Sequence, residues 1–310
     1  MSLETHLVSV IVNCYNSEKY ISECINSIIN QTYLNFEIVV WDNKSEDQTR
    51  QIIANIAKDE KRLKLYAGEK FLALGAARNQ ALNKCIGDWI AFLDSDDVWD
   101  RNFLSDQMNA LKGKDHEYFG YGHVTIFENS ELSSMQNTNR SILTNDDIGQ
   151  ELLKGNFIFL SSLVISRPAV NYIKSFNDDF VQAEDYELLL RLANKYKGLQ
   201  VGHVYYRNHA NNTSKNQGKE LYIENLKILE PYLSYMSAKV NYSFNLAEFF
   251  IHSLNKGIIG DFWIVLKRSK FNYLYLSLGL AYLFAHNLKK FTTAFRLRKY
   301  KKKDINYEKF

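Results

Sequence analysis

The chain has only two prolines, Pro168 and Pro231, in 310 residues, so proline-rich linkers are excluded. Its three cysteines, Cys14, Cys24 and Cys85, form no CxxC pair. They read as buried apolar residues of a reducing, cytoplasmic compartment. GxGxxG and GxxxxGK[ST] are both missing, which argues against a dinucleotide-dependent oxidoreductase and a P-loop phosphotransferase. HExxH is missing too, and no Cys/His set has zinc spacing. The N-terminus is too polar for a signal peptide. There is no internal repeat, and the net charge is only +3.

What is present is an ordinary globular composition, 46% hydrophobic and 24% charged. Apolar β-branched runs at residues 7–14 and 36–41 predict buried strands, each ending in polar residues. Tyr20, Ile21, Cys24, Ile25, Ile28 and Ile29 recur at helical spacing between them. A helix over about 50–58, a strand at 63–66, a helix over 73–85 and a strand at 88–93 continue the alternation. This β-α-β-α pattern implies a mostly parallel sheet with helices on both faces. Ligands then bind beyond the carboxyl ends of the strands, where Asn16, Asp42 and Asp94 to Asp97 all fall. Further on, 118–127, 159–166 and 199–207 read as strands and 183–196 as a helix. From Lys219 the pattern is helical and rich in aromatics.

FLDSDD is the sharpest local signal. Asp94 and Asp96 project the same way from an extended segment, and two such carboxylates call for a cation, Mg²⁺ or Mn²⁺ by ligand type. A solvated acidic turn is the plain alternative. Asp42 suits a base N–H or ribose hydroxyl, or else caps the next helix. Arg78, beside Gly75, Ala76 and Ala77, could reach a phosphate or base, or form a surface ion pair. Glu184 and Asp185 open an otherwise apolar helix, where free N–H groups favour ionised carboxylates. Arg207 and His209 share a face of an extended segment, the first suited to phosphate, the second to metal or to solvent.

Five blocks taken together, VSVIVNCYNSEKYISECINSIINQTY, FEIVVWDNKSEDQT, GAARNQALNKCIGDWIAFLDSDDVW, AEDYELLLRL and YYRNHANNTS, resemble family 2 glycosyltransferases of the GT-A fold, above all the bacterial enzymes of O-antigen, capsule and related surface glycans. The resemblance spans about residues 8–214. It implies an α/β GT-A domain over 1–218, with a Rossmann-like central sheet flanked by helices and a helical, basic extension over 219–310. It also implies inverting, non-processive transfer from a nucleoside-diphosphate sugar, a UDP-sugar first, to a hydroxyl of a glycan or lipid-linked saccharide. In that frame Tyr15, Asp42 and Arg78 lie at the nucleoside, Asp94 and Ser95 at the nucleotide-sugar and Arg207 at phosphate. Asp96, Asp94 and His209 would hold Mn²⁺ or Mg²⁺. Asp185 would be the general base, with Glu184 assisting.

Two departures stand out: Asn13 replaces a frequent proline, and Asp42-Asn43-Lys44-Ser45 replaces a frequent Asp-Asp-Gly-Ser. The QxxRW motif of processive synthases is absent. Residues 271–288 carry no charge and precede the basic run 289–303, which suits either contact with the inner face of the cytoplasmic membrane or a packed extension or homodimer contact. Nucleic acid is not an expected partner. A non-catalytic nucleotide or polysaccharide binder on the same scaffold, and a sugar nucleotidyltransferase, stand as the alternatives.

Overall fold

The computed structural model describes residues 6–128, 143–145, 147–210, 212, 218–268, 276–277 and 279–281. The chain divides into two compact units, 1–217 and 218–310.

In the first unit, β1 (Val8–Cys14), β2 (Phe36–Asp42), β3 (Leu63–Ala67) and β4 (Trp89–Asp94) alternate with α1 (Ile21–Ile29), α2 (Thr49–Asp59) and α3 (Leu74–Leu82). A two-residue strand β5 (Val98–Trp99), α4 (Phe103–Leu111) and β6 (Tyr118–Phe127) follow. After them come β7 (Leu143–Asn145), α5 (Ile148–Leu152), β8 (Val164–Ser166), α6 (Arg167–Ile173), α7 (Glu184–Ala193) and β9 (Lys197–Arg207). The nine strands form one sheet of order β3-β2-β1-β4-β8-β6-β9-β5, with β7 paired to β9. The long ladders β1–β2, β1–β4, β2–β3 and β6–β9 are parallel, and the short ones through β5, β7 and β8 are antiparallel.

Alternation along the strands divides the core. Val8, Val10, Val12 and Cys14 share one cluster with Ile21, Ile25 and Ile28 of α1 and with Ile38, Val40, Ala91 and Leu93. Asn13, Trp41 and Asp94 lie side by side in register, and by the same alternation they face the opposite side, where α3 packs on β1 and β2. The three cysteines are buried and free.

Two expected elements end differently. The helix expected over 73–85 stops at Leu82, because Lys84 and Cys85 donate to carbonyls three residues back and tighten the last turn. The strand expected over 159–166 is a 3₁₀ turn at Leu160–Ser162 and a strand only from Val164. Its serines turn inward: Ser162 Oγ donates to Phe159 O, and Ser161 Oγ accepts from Asp94 N. Local side-chain bonds of this kind compete with a ladder. Between Tyr121 and His123 the β6–β9 register slips at a bulge where Gly202 takes φ 76°. A Cβ there would lie 2.9 Å from Phe103, so the bend in β9 needs glycine.

The second unit contains α8 (Lys219–Leu229), α9 (Met236–Asn255) and α10 (Ile259–Arg268). Leu226, Leu229, Tyr242, Leu246, Phe249 and Phe262 are buried, and Asn225 Nδ2 donates to Asn245 Oδ1 at 2.9 Å. Among the described residues no helix is long and apolar enough to cross a membrane. Most of the segment 271–303 lies outside the described residues.

Candidate active site

Cys14, Asp42 and Asp94 are the last residues of β1, β2 and β4, so the parallel strands deliver them to one edge of the sheet. The loops that follow form two differently built ends of a site.

At the β1–β2 end, side chains bond backbone across the two loops. Asn16 N donates to Ser45 Oγ, Glu46 N to Asn16 Oδ1, Ser17 N to Thr49 Oγ1 and Gln48 N to Glu18 Oε2, at 2.7–3.0 Å. Asn16 (φ 50°) and Lys44 (φ 68°) are both left-handed, the conformation in which short loops turn sharply. Asp42 is buried, and its Oδ1 accepts from Ser45 N at 3.1 Å. Asn43 pins the segment entering α3 by exchanging two hydrogen bonds with the Leu72 backbone. Tyr15 is 46% exposed and meets Phe71 edge-on at 4.8 Å, two solvent-facing rings at the mouth of this end. The Asn13 side-chain amide and the Trp41 indole N–H are buried without a hydrogen-bond partner.

The other end is built from charge. Arg78, 4% exposed, donates through Nη2 to Asp94 Oδ1 at 2.9 Å and through Nη1 to Glu184 Oε1 at 2.5 Å. Ser95 Oγ lies 2.8 Å from Ser17 Oγ. Asp96 Oδ2 is 2.8 Å from His209 Nε2, and the imidazole stacks on Tyr20 at 4.9 Å. Asp97 is fully buried, accepting from Ser161 Oγ and from Arg207 N. The Arg207 guanidinium is buried between Tyr20 and Phe127, donating to Asp96 O at 2.9 Å and to Glu23. Asp185 Oδ1 accepts from Tyr186 N at 2.6 Å, and Asn156 Nδ2 lies 3.4 Å from its Oδ2.

These carboxylates feel one another. Burial raises Asp96, and the charge of Asp94 adds to the effect while His209 opposes it. Burial pushes Glu184 up to about 7 against the pull of Arg78, with Asp185 adding to the rise. Asp185 is raised by burial and by Asp94, while Arg78 again opposes. Asp94, Asp96, Glu184 and Asp185 therefore share one electrostatic neighbourhood, whose excess of negative charge is suited to a cation.

Of the candidate residues, Asp94, Arg78, Glu184 and Asp185 form one group, Asp96 and His209 a touching pair, and Ser95 joins the two loops. Asp42 and Tyr15 sit at the other end. Among the described residues, no three acidic, histidine or cysteine side chains gather closely enough to hold an ion unaided. Ser17, Tyr20, Glu23, Asn156 and Ser161 join the site although the sequence assigns them no part in it. Ser17 and Tyr20 lie in the first recognisable block, but Ser161 sits in what reads as an apolar strand and carries no signal.

The family model described as glycosyl transferase family 2 matches residues 9–170, just over half of the chain and every loop of the β1–β4 edge. The chain belongs to glycosyl transferase family 2. This family 2 glycosyltransferase is 34% identical over 223 residues, 71% of its own length and 84% of the relative's, to the UDP-Glc:alpha-D-GlcNAc-diphosphoundecaprenol beta-1,3-glucosyltransferase WfgD of Escherichia coli. It is 30% identical over 172 residues, 55% of its length and 66% of the relative's, to the putative teichuronic acid biosynthesis glycosyltransferase TuaG of Bacillus subtilis. Its fold matches S. aureus TarS 1-349 in complex with UDP-GlcNAc at TM-score 0.59, with 22% identity, covering 80% of this chain and 72% of that one. It also matches the mannosyltransferase PcManGT of Pyrobaculum calidifontis, in complex with GDP-Man and Mn2+, at TM-score 0.59, with 18% identity, covering 94% and 84%. The likeness is one of fold, and the chain has the GT-A fold.

Proposed function

We propose that this glycosyltransferase moves a sugar from a UDP-sugar to a hydroxyl of a lipid-linked saccharide, by inverting, non-processive transfer. The observation that carries the reading is the convergence of Asp94, Asp96, Glu184 and Asp185 beyond the strand ends, with Arg78 and His209 among their partners. The choice of UDP and of a lipid-linked acceptor draws on two Escherichia coli relatives whose names state both.

In this reading Tyr15 and Asp42 receive the nucleoside, and Asp94 and Ser95 line the nucleotide-sugar. Asp96, Asp94 and His209 are the residues that would hold Mn²⁺ or Mg²⁺. An oxygen-rich set with one imidazole would suit Mn²⁺ or Mg²⁺ by ligand type. When bound, the cation neutralises charge on the departing diphosphate. Asp185 takes the proton of the acceptor hydroxyl as that oxygen bonds to the anomeric carbon and the bond from that carbon to the diphosphate oxygen breaks. Its raised affinity for protons suits a base better than an ordinary surface carboxylate. Residues 1–218 form the transferase domain, and 219–310 form an extension that works at the inner face of the cytoplasmic membrane.

The test combines the purified chain, Mn²⁺ or Mg²⁺ and a panel of UDP-, GDP- and dTDP-sugars, read as nucleoside diphosphate release with and without a lipid-linked saccharide acceptor. Release with a UDP-sugar, lost at least about 1,000-fold in Asp96→Ala, is expected from the several kcal/mol a metal clamp supplies. Failure of every donor to react, with acceptor present, would sink the reading.

A further inference from the structure

The Asp94 carboxylate at the end of β4 and the base-bearing start of α7 are 90 residues apart in sequence, yet one side chain bridges them. We infer that Arg78 is a positioning residue: it sets the start of α7, and with it Asp185, against the donor-side carboxylate Asp94. The inference rests on the transfer reading above for the roles of Asp94 and Asp185.

The geometry is that of a strap. The two terminal nitrogens of one guanidinium reach Asp94 and Glu184, at 2.9 and 2.5 Å, and the group is buried over Phe176. A planar guanidinium can bridge two carboxylates in fixed directions, whereas an ammonium is a single point charge. The neighbouring Asn79 fastens the other end of the same segment, giving its Nδ2–H to Phe176 O at 2.9 Å and accepting Phe176 N–H at 2.8 Å. Arg78 and Asn79 thus hold both ends of the stretch 176–184 that leads into α7.

Close approach makes the strap short. Gly75 lies one turn before Arg78, and a Cβ on it would meet Glu184 Cγ at 3.3 Å and Cβ at 3.4 Å, and Phe176 Cβ at 3.4 Å. The contact with Glu184 Cγ is tight enough that a methyl group would require Glu184 to shift slightly. Gly75 therefore serves the approach of α7, and the guanidinium is spent on two carboxylates of the protein.

The experiment uses the full chain, with Arg78→Lys, Arg78→Met and Gly75→Ala. It measures steady-state transfer, UDP binding by calorimetry in Mn²⁺ and backbone hydrogen exchange. Arg78→Lys is expected to lose about 100-fold in kcat, the effect of a misplacement near 1 Å. The Kd for UDP should stay within about threefold of wild type, on the same ground that the strap positions rather than binds. Exchange should quicken over residues 176–186 and stay unchanged over 42–49. Gly75→Ala keeps every charge, and a smaller kcat loss with UDP binding intact is the second reading if Arg78→Met does not fold. A tenfold weaker Kd with kcat retained would show Arg78 to be a nucleotide ligand and overturn the inference. Unchanged exchange over 176–186 would do the same. A wild-type chain that transfers nothing defeats the transfer reading, whereas the exchange comparison still decides the strap.

Discussion

The two ends of the site are assembled on different principles. At the β1–β2 end the side chains of Asn16, Ser45, Asp47 and Thr49 accept hydrogen bonds from backbone N–H groups, so the main chain itself is what holds the loops in shape. At the β4–α7 end carboxylates are set against Arg78 and His209, drawn from α3 and the segment after β9. Loops pinned through their backbone N–H groups keep their geometry whether or not a ligand is present. A cluster of like charges is stable only with its counter-ions in place. The first end is therefore a preformed cradle, and the second is a set of groups whose balance depends on what binds. Substitutions should separate accordingly, into binding at one end and chemistry at the other.

The sharpest separation comes from Asp185→Asn. Removing a positioned base costs roughly 10²- to 10⁴-fold in kcat. The substitution keeps a hydrogen-bond acceptor for Tyr186 N, so the start of α7 is retained. Steady-state kinetics with an authentic acceptor should show the kcat loss, and calorimetry should show UDP binding close to wild type. Full transfer rate would remove Asp185 from the chemistry.

Asp42→Ala should act in the opposite sense, with a smaller effect. It removes a charge-assisted acceptor at the nucleoside end, worth about 1.5–3 kcal/mol or some tenfold to a hundredfold in affinity. The loss should appear in KM and in UDP binding, with kcat nearly unchanged. A kcat loss equal to that of Asp185→Asn would mean that the two ends are not separable.

The sequence made the β1–β4 half legible because period-two and period-3.6 patterns there are long and end in polar residues. Asp42 and Asp94 could be placed at strand ends for that reason alone. The second half was harder to read. β8 has three residues, and the serines before it spend their hydroxyls on Phe159 O and Asp97, so an apolar run did not make a long strand. From sequence Arg78 suits a phosphate, a base or a surface ion pair, and Arg207 suits a phosphate. Their burial against partners 106 and 184 residues away in sequence is a tertiary fact that no local pattern contains. Asp97 shows the same limit: it accepts from Ser161 and Arg207 and so ties the acidic loop to the end of β9, a bond no local pattern contains.

The smallest predicted effect tests the cradle most directly. Lys44 occupies a left-handed turn, φ 68°, and its side chain is exposed. A residue with a Cβ is disfavoured there by roughly 1 kcal/mol. Lys44→Gly relieves that strain but gives the unfolded chain more freedom, so the net gain should be at most about 1 kcal/mol in denaturant unfolding. The Asp42 Oδ1 to Ser45 N bond spans this turn, so its geometry should persist and UDP affinity should change by less than about threefold, under 1 kcal/mol. A gain in stability with affinity unchanged would mean that the backbone, and not the lysine charge, makes the nucleoside end. A tenfold weaker Kd would mean that the lysine charge itself meets the ligand, and the picture of this end as shaped by its backbone would fail.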